Sequence, residues 1–300
     1  MASDAARPPV DDSGPAAGSA PVDSSGPASG EPPGSGSPTA PGVVRTFDHL
    51  VVAVPDLAAG VREFELLTGA RTVPGGSHPG RGTANHLVPL IPRGWEGAPL
   101  TYLEILGPDP AQDPALAARS LPGVTGLCAQ RWAAHPTGFD AAVARADQAG
   151  VDYGDVFDMS RHTPDGGLLA WRLTRRTPLA HGGAQPFLID WGSSPHPAHG
   201  LRPQPTSSQF TTADPAASDP AASDPAASDP AAPAPAAEAP VTLLLERLEF
   251  FGPDPERLSD AIRVLTEEQV SVEAAAESGF RATISGPRGE LTLTSVGVHP

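Results

Sequence analysis

The sequence contains no lysine, one cysteine and few aromatic residues. Because all 19 basic residues are arginines, no side chain can supply a Schiff-base amine or the lysine of a phosphate-binding P-loop. The lone Cys128 excludes an intramolecular disulfide, and its apolar neighbours favour a buried structural role. No apolar run approaches the roughly 18 residues of a membrane helix, and the polar N-terminus does not resemble a signal peptide. A cytoplasmic protein is therefore expected.

Positive charge is also scarce relative to negative charge. The 19 arginines face 35 acidic residues, which gives a formal net charge of −16. An acidic chain without a basic stripe repels nucleic-acid phosphates and anionic lipid head groups, so neither is an expected partner. The expected partner is a small-molecule ligand, and a homodimer is left open.

Proline and glycine are abundant, with 38 and 32 residues, and they concentrate outside the patterned parts of the chain. Residues 1–43 have almost nothing to bury, so we expect a disordered tail. Residues 201–240 contain an Ala-Ala-Ser-Asp-Pro repeat near 216–230, and prolines at this spacing predict an extended, disordered linker. Folded structure is expected in 44–200 and in 241–296.

The hydrophobic pattern of residues 44–110 predicts one structural unit. A β-rich run at 47–54 is followed by Asp56, a candidate helix N-cap, and Gly69 suits the position just after the helix. Further strands are predicted near 71–73, 86–91 and 100–106. The order is strand, helix and then two or three strands.

Residues 124–193 repeat this order at an offset of 81 residues. Thr137 and Asp140 form a candidate capping box at the start of the second helix, and Gly150 ends it. Strands are predicted near 127–133, 153–159, 168–174 and 186–191. A third, poorer copy occupies 241–296, and its alternating apolar residues predict a face that packs on the main domain.

Five short motifs lie in order within about 150 residues, at 47–57, 78–85, 102–104, 163–167 and 186–191. Together they resemble the vicinal oxygen chelate superfamily, and most closely its glyoxalase-like domain branch. The resemblance implies an α+β fold, in which tandem βαβββ units form a curved mixed sheet around a cup that binds a small molecule.

The resemblance also implies positions for a metal ion. In metal-binding members the ligands face inward from the first and last strands of each unit. The corresponding residues here are His49, Glu104, Gln130 and Asp190, which could hold Zn, Fe, Mn or Ni in divalent form. Glu104 and Asp190 are the candidate catalytic groups for proton transfer. Alternatively, His49 hydrogen-bonds inside the cup, and the two carboxylates bind polar ligand groups or arginines.

Five residues are candidates for ligand binding: Arg81, Thr83, Asn85, Tyr102 and Trp171. The first three belong to a glycine-containing loop that could surround a carboxylate or carbonyl, or that needs glycine only for its backbone angles. Tyr102 shares the strand face of Glu104. Trp171 either packs in a core or forms a stacking wall for the ligand.

Three hypotheses about function remain open at this point. The first is a metal-assisted lyase, isomerase or dioxygenase that acts on a small oxygenated compound. The second is a binding or sequestration protein without catalysis or metal. The third is a degenerate copy whose cup serves only packing.

Overall fold

The computed structural model describes residues 43–97, 99–163, 166–201 and 241–295. All of these lie within one unit, Ala40–Pro300. The predicted tail apart from the buried Val43, and nearly all of the predicted linker, lie outside the described residues, as do Pro164 and Asp165 of the fourth motif. Within the described residues, no helix is long and apolar enough to cross a membrane.

The first unit follows the predicted order. Its elements are β1 (Phe47–Ala53), α1 (Leu57–Thr68), β2 (Val73–His78), β3 (Thr83–Pro92) and β4 (Tyr102–Pro108). Helix α1 begins after Asp56, whose side chain accepts a hydrogen bond from the Ala59 backbone N–H at 2.8 Å. It ends at Gly69, whose φ of 74° is the left-handed conformation that glycine adopts without strain.

The second unit is preceded by a helix that the sequence analysis did not predict, α2 (Pro114–Ser120). Its elements are β5 (Cys128–Ala134), α3 (Phe139–Gln148), β6 (Asp155–His162), β7 (Leu168–Arg175) and β8 (Phe187–Asp190). The predicted capping box of α3 is wrong. The chain enters this helix through Gly138 at φ 74°, and no side chain caps it, because Thr137 lies one residue before the N-cap.

The eight strands of these two units close into a barrel. Their order around it is β3, β2, β6, β7, β8, β5, β1 and β4, and β4 pairs again with β3. Strand β1 runs parallel to β4 and antiparallel to β5, so the sheet is mixed. The β2–β6 junction consists of one residue pair, Ser77 with His162. This architecture confirms the predicted α+β fold with a curved mixed sheet.

The third copy extends the sheet outside the barrel. It consists of β9 (Leu243–Gly252), α4 (Pro255–Arg263), β10 (Val272–Ala274), β11 (Gly279–Gly286) and β12 (Gly289–Thr294). Strand β9 pairs parallel with β3, where Leu90 is opposite Leu243. The Tyr153 hydroxyl of the second unit donates a hydrogen bond to the Ala261 carbonyl at 2.6 Å.

Alternation along β1 decides what faces the barrel interior. Leu50 and Val52 belong to the main core together with Phe64 of α1. His49 points the other way, towards the inside of the barrel, because successive side chains of a strand face opposite sides. The same alternation on β4 sends Leu103 and Ile105 into the core and turns Tyr102 and Glu104 inward.

Candidate functional site

The barrel encloses a cavity of about 360 Å³ that both units line. Its lining combines a group of polar side chains with arginines and with aromatic and aliphatic side chains. The polar group consists of His49, His78, Thr83, Asn85, Glu104 and Gln130. Concave pockets with apolar walls and a few convergent polar groups are typical of small-molecule sites.

Glu104 is at the centre of the polar group and is buried. Asn85 donates a hydrogen bond from Nδ2 to its Oε1 at 2.6 Å. His49 Nε2 lies 3.7 Å from its Oε2, and His78 Nε2 lies 3.9 Å from its Oε1. Burial alone would raise the pKa of Glu104, but His78, His49 and the bond from Asn85 lower it below the ordinary value. Glu104 is therefore ionised at neutral pH.

His49 is fixed by its neighbour in sequence, Asp48. The Nδ1–H of His49 donates to Oδ1 of Asp48 at 2.6 Å, and the ring stacks on Tyr102 with centroids 4.5 Å apart. Because Nδ1 is engaged, Nε2 is the nitrogen that faces Glu104 and the cavity.

Asp48 is a buried carboxylate that several donors surround. Its Oδ2 accepts hydrogen bonds from Trp191 Nε1 at 3.1 Å and from His196 Nε2 at 3.2 Å. Burial opposes ionisation, but the bonds from His196 and His49 outweigh it and hold the pKa of Asp48 well below its usual range. His135, which is partly exposed, lies 3.5 Å away from the same oxygen.

Aromatic rings form much of the cavity wall. Trp171 and Trp191 lie with their ring centroids 5.4 Å apart, and His78 meets Trp171 edge-on. Phe187 contacts His49 in a T-shaped arrangement. These rings give the cavity a largely apolar surface, which favours the organic part of a ligand.

Arginine is the other prominent component of the lining. Six of the 19 arginines line the cavity, whereas Glu104 is the one acidic residue among its described lining residues. The six are Arg81, Arg119, Arg131, Arg161, Arg175 and Arg176. The cavity is therefore positively charged inside an acidic chain.

Eight of the nine residues that the sequence analysis proposed for the site line the cavity. They are His49, Arg81, Thr83, Asn85, Tyr102, Glu104, Gln130 and Trp171. The prediction that Asp190 joins them is wrong. Asp190 lies on β8 between Ile189 and Trp191, which do line the cavity, so alternation turns it away. Its carboxylate accepts hydrogen bonds from Arg172 Nη2 at 2.8 Å and from the Gly192 backbone at 2.9 Å.

The metal-ligand set that the resemblance implied does not fit this arrangement. Asp190 is on the outer face, and the described residues contain no group of three or more His, Cys, Asp or Glu that could hold an ion. His49 and His78 approach different oxygens of Glu104. No chemical step through a metal follows from these positions.

Some residues at the site were not predicted from the sequence. Asp48 appeared to alternate away from His49, but the register of β1 against β5 shifts between Phe47 and His49, and its side chain turns towards the histidine. Trp191 was recognised only as part of a motif. The arginines come from separate elements, and no sequence spacing indicates that they meet.

Comparison with known proteins agrees with the fold and the resemblance. Residues 47–266, more than two thirds of the chain, match the family described as a glyoxalase-like domain. The chain belongs to this glyoxalase-like domain family. No curated protein matches it.

Several solved structures are similar at low sequence identity. A hypothetical protein from Staphylococcus aureus is 13% identical, with a TM-score of 0.46, and the match covers 83% of this chain and 84% of that one. Methylmalonyl-CoA epimerase from Mycobacterium tuberculosis is 18% identical, with a TM-score of 0.31 and coverage of 50% and 89%. The Streptomyces coelicolor epimerase in complex with 2-nitronate-propionyl-CoA is 18% identical, with a TM-score of 0.34 and coverage of 49% and 97%.

Proposed function

We propose that the protein binds a small oxygenated organic compound in this cavity and transfers a proton to or from it. The observation that carries the proposal is the ionised, buried carboxylate of Glu104, which lies beside a fixed imidazole in a cavity with aromatic walls. A positioned carboxylate can serve as a general base for a carbon acid even when its pKa is well below neutrality.

The proposed roles follow from the contacts of each residue. Asn85 holds Oε1 of Glu104, which leaves Oε2 as the oxygen that accepts the proton. His49 presents Nε2 beside it and exchanges a proton with a substrate oxygen, while Asp48 fixes the orientation of the ring. Asp48 is thus a positioning residue, because it acts through His49.

The cavity walls support the same chemistry. A volume of about 360 Å³ is at the small end of the range for ligand pockets, which favours a compact substrate. The tryptophan, tyrosine and phenylalanine rings exclude water from Glu104 when a ligand fills the space. Charges that form during proton transfer then interact in a medium of low dielectric constant, where fixed dipoles stabilise them more strongly.

The proposal is tested by hydrogen–deuterium exchange at carbon. Pyruvate, acetoacetate, hydroxyacetone and dihydroxyacetone phosphate would be incubated with the protein in D₂O, and loss of the C–H signal would be followed by proton NMR. We expect catalysed exchange for at least one compound, and the substitution Glu104→Gln should slow it by about 100-fold or more. Asp190→Asn removes a carboxylate outside the cavity and should leave the rate unchanged.

The second candidate function is binding without catalysis, and the largely apolar wall favours it. It predicts that a probe changes the tryptophan emission of the cavity but that its C–H protons do not exchange faster than in buffer. That result, or equal exchange rates for the wild type and Glu104→Gln, would overturn the catalytic proposal.

A further inference from the structure

In the part of the chain that the structure describes, five of the six arginines that line the cavity have no carboxylate partner. Among the described residues, Arg176 alone of the six has a carboxylate within 4.0 Å, that of Asp152 at 2.9 Å. Elsewhere the chain pairs its arginines readily, as in the contact of Arg172 with Asp190. The unpaired charge in the cavity therefore does not reflect a shortage of acidic residues.

Two of these arginines have buried nitrogens without a hydrogen-bond partner among the described residues, Nε of Arg131 and Nη1 of Arg161. Arg161 is only 5% exposed. A buried cationic donor without a partner is costly, so it persists where a ligand or solvent satisfies it. Both side chains line the cavity.

Three arginines are close enough to repel one another. Burial lowers the pKa of Arg81 to about 10, and the nearby charges of Arg175 and Arg131 contribute to the shift. Burial and Arg175 also lower the pKa of Arg131, while Glu104 opposes them. These side chains come from the β2–β3 loop, β5 and the end of β7, and barrel closure brings them together.

We propose that Arg81, Arg131 and Arg175 form a subsite for a dianionic group, such as a phosphate monoester or a pair of carboxylates, on a ligand with a compact apolar body. The described lining holds one acidic residue, so at least two of these three positive charges have no carboxylate of the lining to neutralise them, and a dianion supplies two negative charges. Guanidinium groups bind oxyanions through paired hydrogen bonds. The aromatic walls bind the rest of the ligand. This inference rests on the proposed function in that the same cavity holds the substrate.

Titration with simple probes tests the subsite in the full-length protein. Trp171 and Trp191 line the cavity, so their fluorescence should respond to binding. The probes are phenyl phosphate, phenylmalonate, benzoate and benzyl alcohol at about pH 8, where a phosphate monoester is a dianion. We expect the two dianions to bind about tenfold or more tightly than benzoate, with benzyl alcohol weakest. The order of the dianions distinguishes a phosphate from a dicarboxylate ligand.

Arginine variants test whether dianion binding depends on the cavity arginines or only on the overall charge of the protein. Arg175→Gln and Arg81→Gln should weaken phenyl phosphate binding about tenfold and leave benzyl alcohol unaffected. Arg145→Gln, on the exposed face of α3, is the matched control and should change neither. Equal affinity for all four probes, or an unchanged affinity in both cavity variants, would overturn the inference.

The outcome is independent of the catalytic proposal. Glu104→Gln removes the one negative charge of the cavity lining, so it should bind phenyl phosphate at least as tightly as the wild type. Tight dianion binding without any C–H exchange would leave the subsite standing and overturn the catalytic function. Catalysed C–H exchange of hydroxyacetone together with no preference for dianions would support the catalytic function and overturn the subsite.

Discussion

Asp48 accepts hydrogen bonds from three side chains at the candidate site, although Asp48 itself does not line the cavity. One carboxylate fixes His49, His196 and the indole of Trp191, so it joins β1, the residue just after β8 and the segment that follows it. A buried carboxylate with several donors is stable as long as it remains charged, and its protonation removes bonds that water cannot replace.

Replacement of Asp48 by Asn should therefore lower the free energy of unfolding by roughly 1–3 kcal/mol at neutral pH. Because the pKa of Asp48 is lower in the folded than in the unfolded chain, its contribution is fully present above the ordinary value of 3.8 and is lost as the pH falls below it. Urea denaturation across this range should show a shallower acid-induced loss in Asp48→Asn than in the wild type. Asp147→Asn, on the exposed side of α3, serves as the control. Parallel pH profiles for Asp48→Asn and the wild type would contradict this role.

The β2–β3 loop shows how an element depends on particular glycines. Gly80 and Gly82 both have φ of 70°, a conformation that costs other residues about 1–2 kcal/mol. A Cβ on Gly80 would meet no atom within 4 Å, whereas one on Gly82 would lie 2.4 Å from the Ala117 backbone nitrogen of α2. The loop therefore fits against α2 at one of its two glycines.

This difference gives a matched pair of substitutions. Gly80→Ala should lower the free energy of unfolding by about 1 kcal/mol, because the only cost is that of a left-handed backbone conformation in a residue with a Cβ. Gly82→Ala should cost clearly more, because the loop or α2 must move, and it should also disturb the neighbouring Arg81. Thermal unfolding measures the loss of stability in both variants. Phenyl phosphate titration measures whether Gly82→Ala disturbs Arg81. Equal losses in the two variants would show that the loop does not press against α2.

Elements with strong alternation or clear caps were predictable from the sequence, and short or irregular ones were not. The pattern of β1 and the Asp56 and Gly69 signals led to the observed strand and helix. Strand β8 has only four residues, Phe187–Asp190, and three are apolar, so no alternation showed which way Asp190 faces. Its selection as a ligand came from the resemblance, which places ligands on the last strand of each unit.

Some residues of the candidate site could likewise be predicted from the sequence, and others could not. Residues on the strands of the first unit, such as His49 and Glu104, could be placed because period-two alternation sets their direction. The arginine cluster could not, because it depends on how three distant segments meet when the barrel closes. The local turn of Asp48 towards His49 also lies outside any regular strand pattern.

For the whole molecule, the third copy shares its core with the barrel. Leu243 and Leu245 of β9 are fully buried in the cluster that contains Leu50 and Leu103. The ring of Trp132 on β5 contacts that of Phe250 on β9, with centroids 5.7 Å apart. A common core of this kind makes the two parts unfold together.

Leu245→Ala should destabilise the entire protein by roughly 2–5 kcal/mol because it creates a cavity in this shared core. Circular dichroism and tryptophan fluorescence should report one coincident urea transition, which shifts to lower concentration in the variant. The exposed Leu66→Ala should shift it little. Two separate transitions would show instead that the copies fold independently.

The two copies that form the barrel have come to contribute different things to one ligand. The first supplies His49, His78, Asn85 and Glu104, and the second supplies Trp171, Phe187, Ile189 and Trp191. Under the proposed function, the proton-transfer groups come from the first copy, and most of the aromatic wall comes from the second. If the proposed function holds, substitutions in the second copy can alter which molecules fit while His49 and Glu104 keep their positions, so new ligand preferences can evolve with the same chemistry.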